Sequence, residues 1–245
     1  MKAMIFAAGL GTRLRPLTDT MPKALIPVAG MPMLQRVILR MIAAGFDDIT
    51  INVHHFASMI VDFLQRNNNF GISIHISDES DLLLDTGGGI LHARQWLDGT
   101  EPILVHNADI LTDLDLSDIY RHHIDSHADA TLLVDRRDTS RYLLFDSNNS
   151  LCGWTNTATG EFRPDGFQYD PQLHTPLAFG GVHVISPSIF PSLAEFSDNP
   201  VFSIIPYYLS AADSKRIIGY TPTSPYSWHD IGKPSSLAAA NASLQ

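Results

Sequence analysis

The 245-residue chain has a single cysteine, Cys152, so no internal disulfide framework is possible and a reducing compartment suits it. Charge is sparse: Asp, Glu, Lys and Arg make up 17% of the residues. Basic residues are the minority, 16 against 26 acidic, for a net charge of −10. A surface so short of positive charge repels a nucleic-acid backbone, which argues against coating DNA or RNA. It leaves room for a small polyphosphate in a locally basic pocket. No apolar run approaches the ~20 residues of a membrane helix. The opening apolar stretch, Ala3 to Ala8, ends in Gly9-Leu10-Gly11-Thr12-Arg13 and is shorter than the core of a signal peptide. A cytoplasmic protein is expected, with no membrane partner. What the chain does have is apolar residues, 44%, with 16 Gly and 15 Pro, which is globular composition. The length suits one substantial α/β domain.

Strand and helix patterns alternate through the first half. Residues 3–8 read as a buried strand, and 33–44 place Leu34, Val37, Ile38, Met41 and Ile42 at helical spacing before Gly45. A strand at 49–54, a helix at 56–66, and strands at 72–76 and 102–106 follow. That order predicts a mostly parallel sheet covered on both faces. The second half predicts a helix at 117–127 and a strand at 129–135, then short turn-punctuated segments suited to a small antiparallel lobe. A strand at 178–185, helices at 188–195 and 202–212, a strand at 215–220 and a helix after Pro234 complete the chain. No linker or repeat interrupts it. The reading is one domain: 1–135 the parallel-sheet part, 136–185 a lobe, and 186–245 closing helices.

The loop after the first strand carries Gly9, Gly11, Thr12, Arg13 and Arg15, with Pro22-Lys23 beyond. Ligands of parallel sheets sit at the carboxyl ends of strands, where this loop begins. Glycines let backbone N–H groups approach oxygen atoms closely, and Arg13, Arg15 and Lys23 add cationic donors. Together they ask for a polyanion. The Gly-x-x-x-x-Gly-Lys-Ser/Thr pattern of a P-loop is absent. So is a dinucleotide fingerprint: Leu14 stands where the third glycine belongs, and the second strand ends in His54-His55 without an acid.

Asp109 follows the strand 103–105 and points toward the same crevice, a position suited to Mg²⁺ bridging phosphate oxygens. Asp113 and Asp115 lie close by as rivals, and Asp118 or Ser117 fits a helix-capping role. Asp230, in Trp228-His229-Asp230-Ile231-Gly232, is set among aromatic and apolar neighbours. The paired histidines His54-His55 and His122-His123 lack zinc-helix spacing and read as structural or surface residues. Trp154 could border a substrate, Cys152 reads as a small buried residue, and Tyr207-Tyr208 hint at a surface contact.

The run Gly9 to Thr18 with Pro22-Lys23-Ala24-Leu25-Ile26-Pro27-Val28 closely resembles the signature of the sugar-phosphate nucleotidyltransferases. Asp85-Thr86-Gly87-Gly88-Gly89, Asn107-Ala108-Asp109, Phe179-Gly180-Gly181-Val182 and Trp228 to Gly232 keep that family's order along nearly the whole chain. The resemblance implies a Rossmann-like α/β fold, a mixed sheet with helices on both faces and a small antiparallel sugar-binding lobe. It also implies two substrates, a nucleoside triphosphate and a sugar 1-phosphate. Within the family the chain is most similar to the N-acetylmuramate 1-phosphate uridylyltransferases of bacterial cell-wall recycling. Mannose-1-phosphate guanylyltransferases, a polar-head-group cytidylyltransferase and a non-catalytic nucleotide-sugar sensor are the alternatives.

Carried over by position, Gly9, Gly11, Thr12 and Arg13 would hold the triphosphate, and Lys23 would steady the α-phosphate. Gly88, with Thr86 or Gly87 beside it, would face the base, and Asn107 would touch the nucleotide. Asp109 and Asp230 would ligate Mg²⁺. Gly153, Glu161, Arg163, Gly180 and Gly181 would contact the sugar. The chain departs from the family's Glu-Lys-Pro in the lobe, carrying Glu161-Phe162-Arg163-Pro164 instead, so Arg163 would replace the lysine. The left-handed β-helix of acetyltransferase-coupled members is missing, and no second activity is expected.

Overall fold

The computed structural model describes residues 1–244; Gln245, the last residue of the expected closing segment, lies outside them. The chain opens with β1 (Lys2–Phe6), the two-residue strands β2 (Pro27–Val28) and β3 (Met31–Pro32), α1 (Met33–Ala43), β4 (Asp48–Val53), α2 (Ala57–Arg66) and β5 (Ser73–Asp78). Helices α3 (Asp85–His92) and α4 (Arg94–Leu97) lead to β6 (Ile103–Asn107), β7 (Ile110–Thr112), α5 (Leu116–Ser126) and β8 (Ala130–Asp135). Then come β9 (Arg141–Phe145), β10 (Leu151–Asn156), β11 (Glu161–Arg163) and the long β12 (Thr175–Ile185). Helices α6 (Phe190–Ala194) and α7 (Ile204–Ala211), strands β13 (Ile217–Tyr220) and β14 (Trp228–Asp230), and α8 (Pro234–Ser243) close it.

One sheet runs β11-β10-β9-β12-β6-β1-β4-β5, with β8 and β13 joined to it through β12. Strands β6, β1, β4 and β5 are parallel, whereas β12 runs antiparallel to β6, β8 and β9. The sheet is therefore mixed, and its parallel part is the half where continuous apolar strands alternate with helices. Side chains of opposite parity on β1 separate two cores. Ala3 and Ile5 pack with Leu34, Val37, Ile38 and Met41 of α1, Ile60 and Leu64 of α2, and Ile119 of α5. Met4 packs with Ile90 of α3, Phe190 of α6, and Ile204, Tyr207 and Tyr208 of α7. Each such fully buried side chain contributes about 1.5–3 kcal/mol, which makes helices on both faces the stable arrangement.

β12 joins the lobe to the main sheet. Its first residues pair with β9 and its last with β6 and β8, and the register shifts between Phe179 and His183. Gly181, at φ +71°, sits in that irregularity, where a Cβ would lie 2.9 Å from the Asn107 amide nitrogen. Only glycine tolerates both the conformation and the approach. Tyr207 and Tyr208 are not surface residues, because the apolar face of α7 turns them into the second core. The cap of α5 is Asp115, whose carboxylate accepts from the Ser117 amide at 2.9 Å, rather than Asp118 or Ser117.

Candidate active site

Two cavities open at the carboxyl ends of the parallel strands. The first, about 380 Å³, is walled by Ala7, Ala8, Gly9, Lys23, Asn52, Glu79, Leu83, Asp85, Thr86, Asn107, Asp109 and Val201. The second, about 1320 Å³, runs under the lobe from Arg13 and Asp230 to Trp154, Glu161 and Arg163. Asn107 and Asp109 belong to both. They lie at the end of β6, where the two spaces meet.

The opening loop leaves β1 over the first cavity. Gly11, at φ +63°, starts a 3-10 turn at Thr12–Leu14, and the Lys23 stem packs over it, 3.0 Å from where its Cβ would lie. Among the described residues, the amides of Gly9, Leu10, Gly11 and Thr12 donate to no group of the chain. Such a row of free N–H groups forms an anion-binding concavity. The loop is braced from behind by a buried network. Asn52 Oδ1 accepts from the amides of Ala7 and Ala8, at 2.7 and 3.3 Å, and its Nδ2 donates to Glu79 Oε1 at 2.8 Å. The other Glu79 oxygen accepts from the Leu84 amide at 3.0 Å. This pair escaped the sequence reading: Asn52 lies inside an apolar strand and Glu79 in a polar turn.

Lys23 Nζ donates to Asp109 Oδ2, with both side chains largely shielded. Asp230 is brought beside Asp109 by a two-stranded ribbon the sequence did not announce. β14 pairs antiparallel with β7, Asp230 opposite Ile110, and the Ile231 amide donates to the Asp109 carbonyl at 2.8 Å. Burial, then the Asp109 charge, holds the Asp230 carboxyl above its ordinary range, against the pull of Lys23, Arg13 and Lys233. Its Oδ1 is buried without a hydrogen-bond partner among the described residues. A Cβ on Gly232 would lie 2.7 Å from that oxygen and 2.8 Å from an Arg13 terminal nitrogen, so glycine makes room for their approach. The rival acids are engaged elsewhere, since Asp113 accepts from the Ser227 amide at 2.6 Å and Asp115 caps α5.

Not every predicted residue faces this junction. Arg15 pairs with the exposed Asp19 at 3.2 Å and, like Gly11 and Thr12, lines neither cavity. Gly87 and Gly88 lie in α3 and both donate to the Phe202 carbonyl, at 2.9 and 3.1 Å, while a Cβ on Gly88 would meet the Pro200 carbonyl. Thr86 accepts from the Ile204 amide at 2.9 Å, so it holds the start of α7 while lining the first cavity. Gly153 packs against Phe167, and Gly180 packs against Leu133 and accepts from Trp228 Nε1 at 2.9 Å. Glu161 and Arg163 do line the second cavity, joined by a 2.8 Å hydrogen bond. Arg137, missed in the sequence, and Trp228, noted there only within the Asp230 motif, also line it. The Arg137 guanidinium lies 3.5 Å from the indole centroid, and one nitrogen donates to the Ala178 and Phe179 carbonyls.

The model of the nucleotidyl transferase family matches residues 2–245. The chain belongs to that family. It is a nucleotidyltransferase, and the junction of the two cavities is its candidate active site. It is 34% identical over 249 residues to the N-acetylmuramate alpha-1-phosphate uridylyltransferase of Caulobacter vibrioides, covering 99% of this chain and 96% of that protein. A Neisseria meningitidis protein of the same name is 40% identical over 182 residues, covering 68% of this chain and 77% of its own. Among solved structures, HddC from Yersinia pseudotuberculosis complexed with GMP-PN superposes with a TM-score of 0.76. The match has 20% identity and covers 100% of this chain and 99% of that one, which shows a shared fold. No helix among the described residues is long and apolar enough to cross a membrane.

Proposed function

We propose that this enzyme transfers a uridylyl group from UTP to N-acetylmuramate 1-phosphate in the cytoplasm, yielding the UDP-sugar and pyrophosphate. The reading is carried by one observation: Lys23, Asp109 and Asp230 converge where a cavity edged by Gly9, the first residue of a loop with free backbone amides, opens into a larger, side-chain-lined cleft. The near full-length likeness to one protein named for that activity, and a likeness over 68% of the chain to another, support the choice of base and sugar.

The acceptor phosphate is already anionic at neutral pH, so no general base is required. Its oxygen forms a bond to the α-phosphorus. The bond from that phosphorus to the bridging oxygen breaks, and the electron pair leaves with pyrophosphate. The barrier lies in bringing two polyanions together and stabilising the charge on the equatorial oxygens. The loop amides of Gly9, Gly11 and Thr12 and the Arg13 guanidinium would hold the triphosphate. Lys23 would exchange its contact with Asp109 for the α-phosphate as charge develops there. Asn107 would position the nucleotide at the neck between the cavities. An unpartnered buried carboxylate oxygen next to a second carboxylate fits a hard divalent cation, so Asp109 and Asp230 would hold Mg²⁺. Bound there, the ion would supply neutralisation of the phosphate and pyrophosphate oxygens.

Pyrophosphate release from four nucleoside triphosphates against a panel of sugar 1-phosphates, with and without Mg²⁺, tests the assignment. UTP with N-acetylmuramate 1-phosphate is expected to give the highest kcat/KM, and only with the metal. Wild-type turnover by Asp109→Ala would overturn the metal assignment.

A further inference from the structure

The sheet of the lobe turns one face into the larger cleft, and strand register decides which residues share it. Arg141 stands opposite Asn156, which stands opposite Glu161; in the next row Leu143, Trp154 and Arg163 are aligned. All six line the cleft. Their charges are not equivalent. Arg163 is tied to Glu161 at 2.8 Å, with its guanidinium 5.0 Å from the Trp154 ring centroid, so those two charges offset each other. Arg137 is half-buried against the Trp228 face, with one nitrogen on two backbone carbonyls and its Nε turned inward without a hydrogen-bond partner among the described residues. The Arg141 guanidinium has no hydrogen bond or ion pair among the described residues, and its cross-strand neighbour is a neutral amide.

An uncommitted guanidinium in the cleft of a protein of net charge −10 is a built preference for an anion. The cations facing the reacting phosphates, Arg13 and Lys23, sit on the opening loop, and Arg141 sits on a different element. A fork of parallel N–H donors matches a carboxylate, and the Asn156 side-chain amide beside it can supply a further donor. We propose that Arg141 is a specificity-determining residue, selecting a sugar 1-phosphate that carries a carboxylate on the side of the ring turned toward the lobe. The inference rests on the sugar-phosphate reading above, in which the lactyl ether of N-acetylmuramate supplies that carboxylate.

The test compares kcat/KM for N-acetylmuramate 1-phosphate and N-acetylglucosamine 1-phosphate, the same ring without the lactyl acid, in the full chain and in Arg141→Gln and Arg141→Glu. The ratio is expected to fall roughly tenfold or more in Arg141→Gln, and further on charge reversal, with the change carried by KM for the acidic sugar. A ratio unchanged in both variants overturns the role of Arg141 while leaving the substrate reading intact, whether the two rates fall together or hold. Wild-type preference for the sugar lacking the carboxylate overturns the substrate reading itself, and the Arg141 assignment with it.

Discussion

On its β1 side the first cavity is walled by backbone braced by buried side chains, whereas the cleft under β9, β10 and β11 is walled by side chains held from within their own sheet. There the buried Asn52 and Glu79 satisfy three backbone amides. On the lobe, Arg141, Trp154, Asn156, Glu161 and Arg163 project from a sheet whose other face packs Leu144 and Thr155 inward. The difference would suit the task proposed for each region. A triphosphate presents the same oxygens to every enzyme that uses it, so fixed amides would serve. Sugars differ by single substituents, and exchanging one exposed side chain alters such a surface without disturbing the fold.

Both regions depend on β6 and β12 and on α5 packed beside them, and acid should break this shared support with the largest effect. Burial holds the imidazoles of His106 and His123 at about 4 and that of His183 at about 3. Each lies below the ordinary value of 6.5, so the folded state binds fewer protons than the unfolded one. The stability they allow is complete above pH 6.5 and is lost as pH falls toward 4. The combined loss is on the order of several kcal/mol, read as a falling urea midpoint with unchanged slope.

Lys23→Ala is expected to lower kcat by roughly 10²–10³-fold while leaving the thermal midpoint nearly in place, since the charge acts on reacting oxygens. A large fall in the midpoint instead would mark the Lys23–Asp109 pair as chiefly structural. Asn52→Ala should do the opposite in emphasis. It leaves Glu79 Oε1 and the Ala7 amide unpaired, destabilises the fold by about 1–3 kcal/mol, and raises KM for the triphosphate. Gly88→Ala sharpens the distinction at α3. The added methyl group meets the Pro200 carbonyl, so a cost of about 1–3 kcal/mol in stability is expected. A normal midpoint with a raised KM for the triphosphate would instead return Gly88 to direct base contact. The smallest effect belongs to the lobe: Trp154→Ala should raise KM for the sugar phosphate several-fold, with the midpoint and the KM for UTP unchanged.

Legibility followed how local each signal is. α1 and α2 were readable because their apolar residues repeat at helical spacing and bury one face. α3 was not: three consecutive glycines disfavour a helix by about 1 kcal/mol each. They form one only because Pro200 and Phe202 press against faces that have no Cβ. The β7–β14 ribbon joins segments more than a hundred residues apart, and its three-residue strands carry no pattern of their own. Tyr207 and Tyr208 were misjudged because an aromatic pair looks alike in a core and on a surface until the neighbouring elements are placed.

The sequence by itself determined the parallel half of the sheet, the glycine-rich loop at its carboxyl edge, and Lys23 and Asp109 as the candidates beside that loop. Hydrophobic period, glycine position and strand-end carboxylates are local properties of the chain. Only the tertiary structure decided that Asp230 stands beside Asp109, that Asn52 and Glu79 hold the loop, and that Arg141 faces the cleft without a partner. Those depend on strand pairing and burial between distant segments, where desolvation and long-range hydrogen bonds, absent from any short stretch of sequence, set which groups meet.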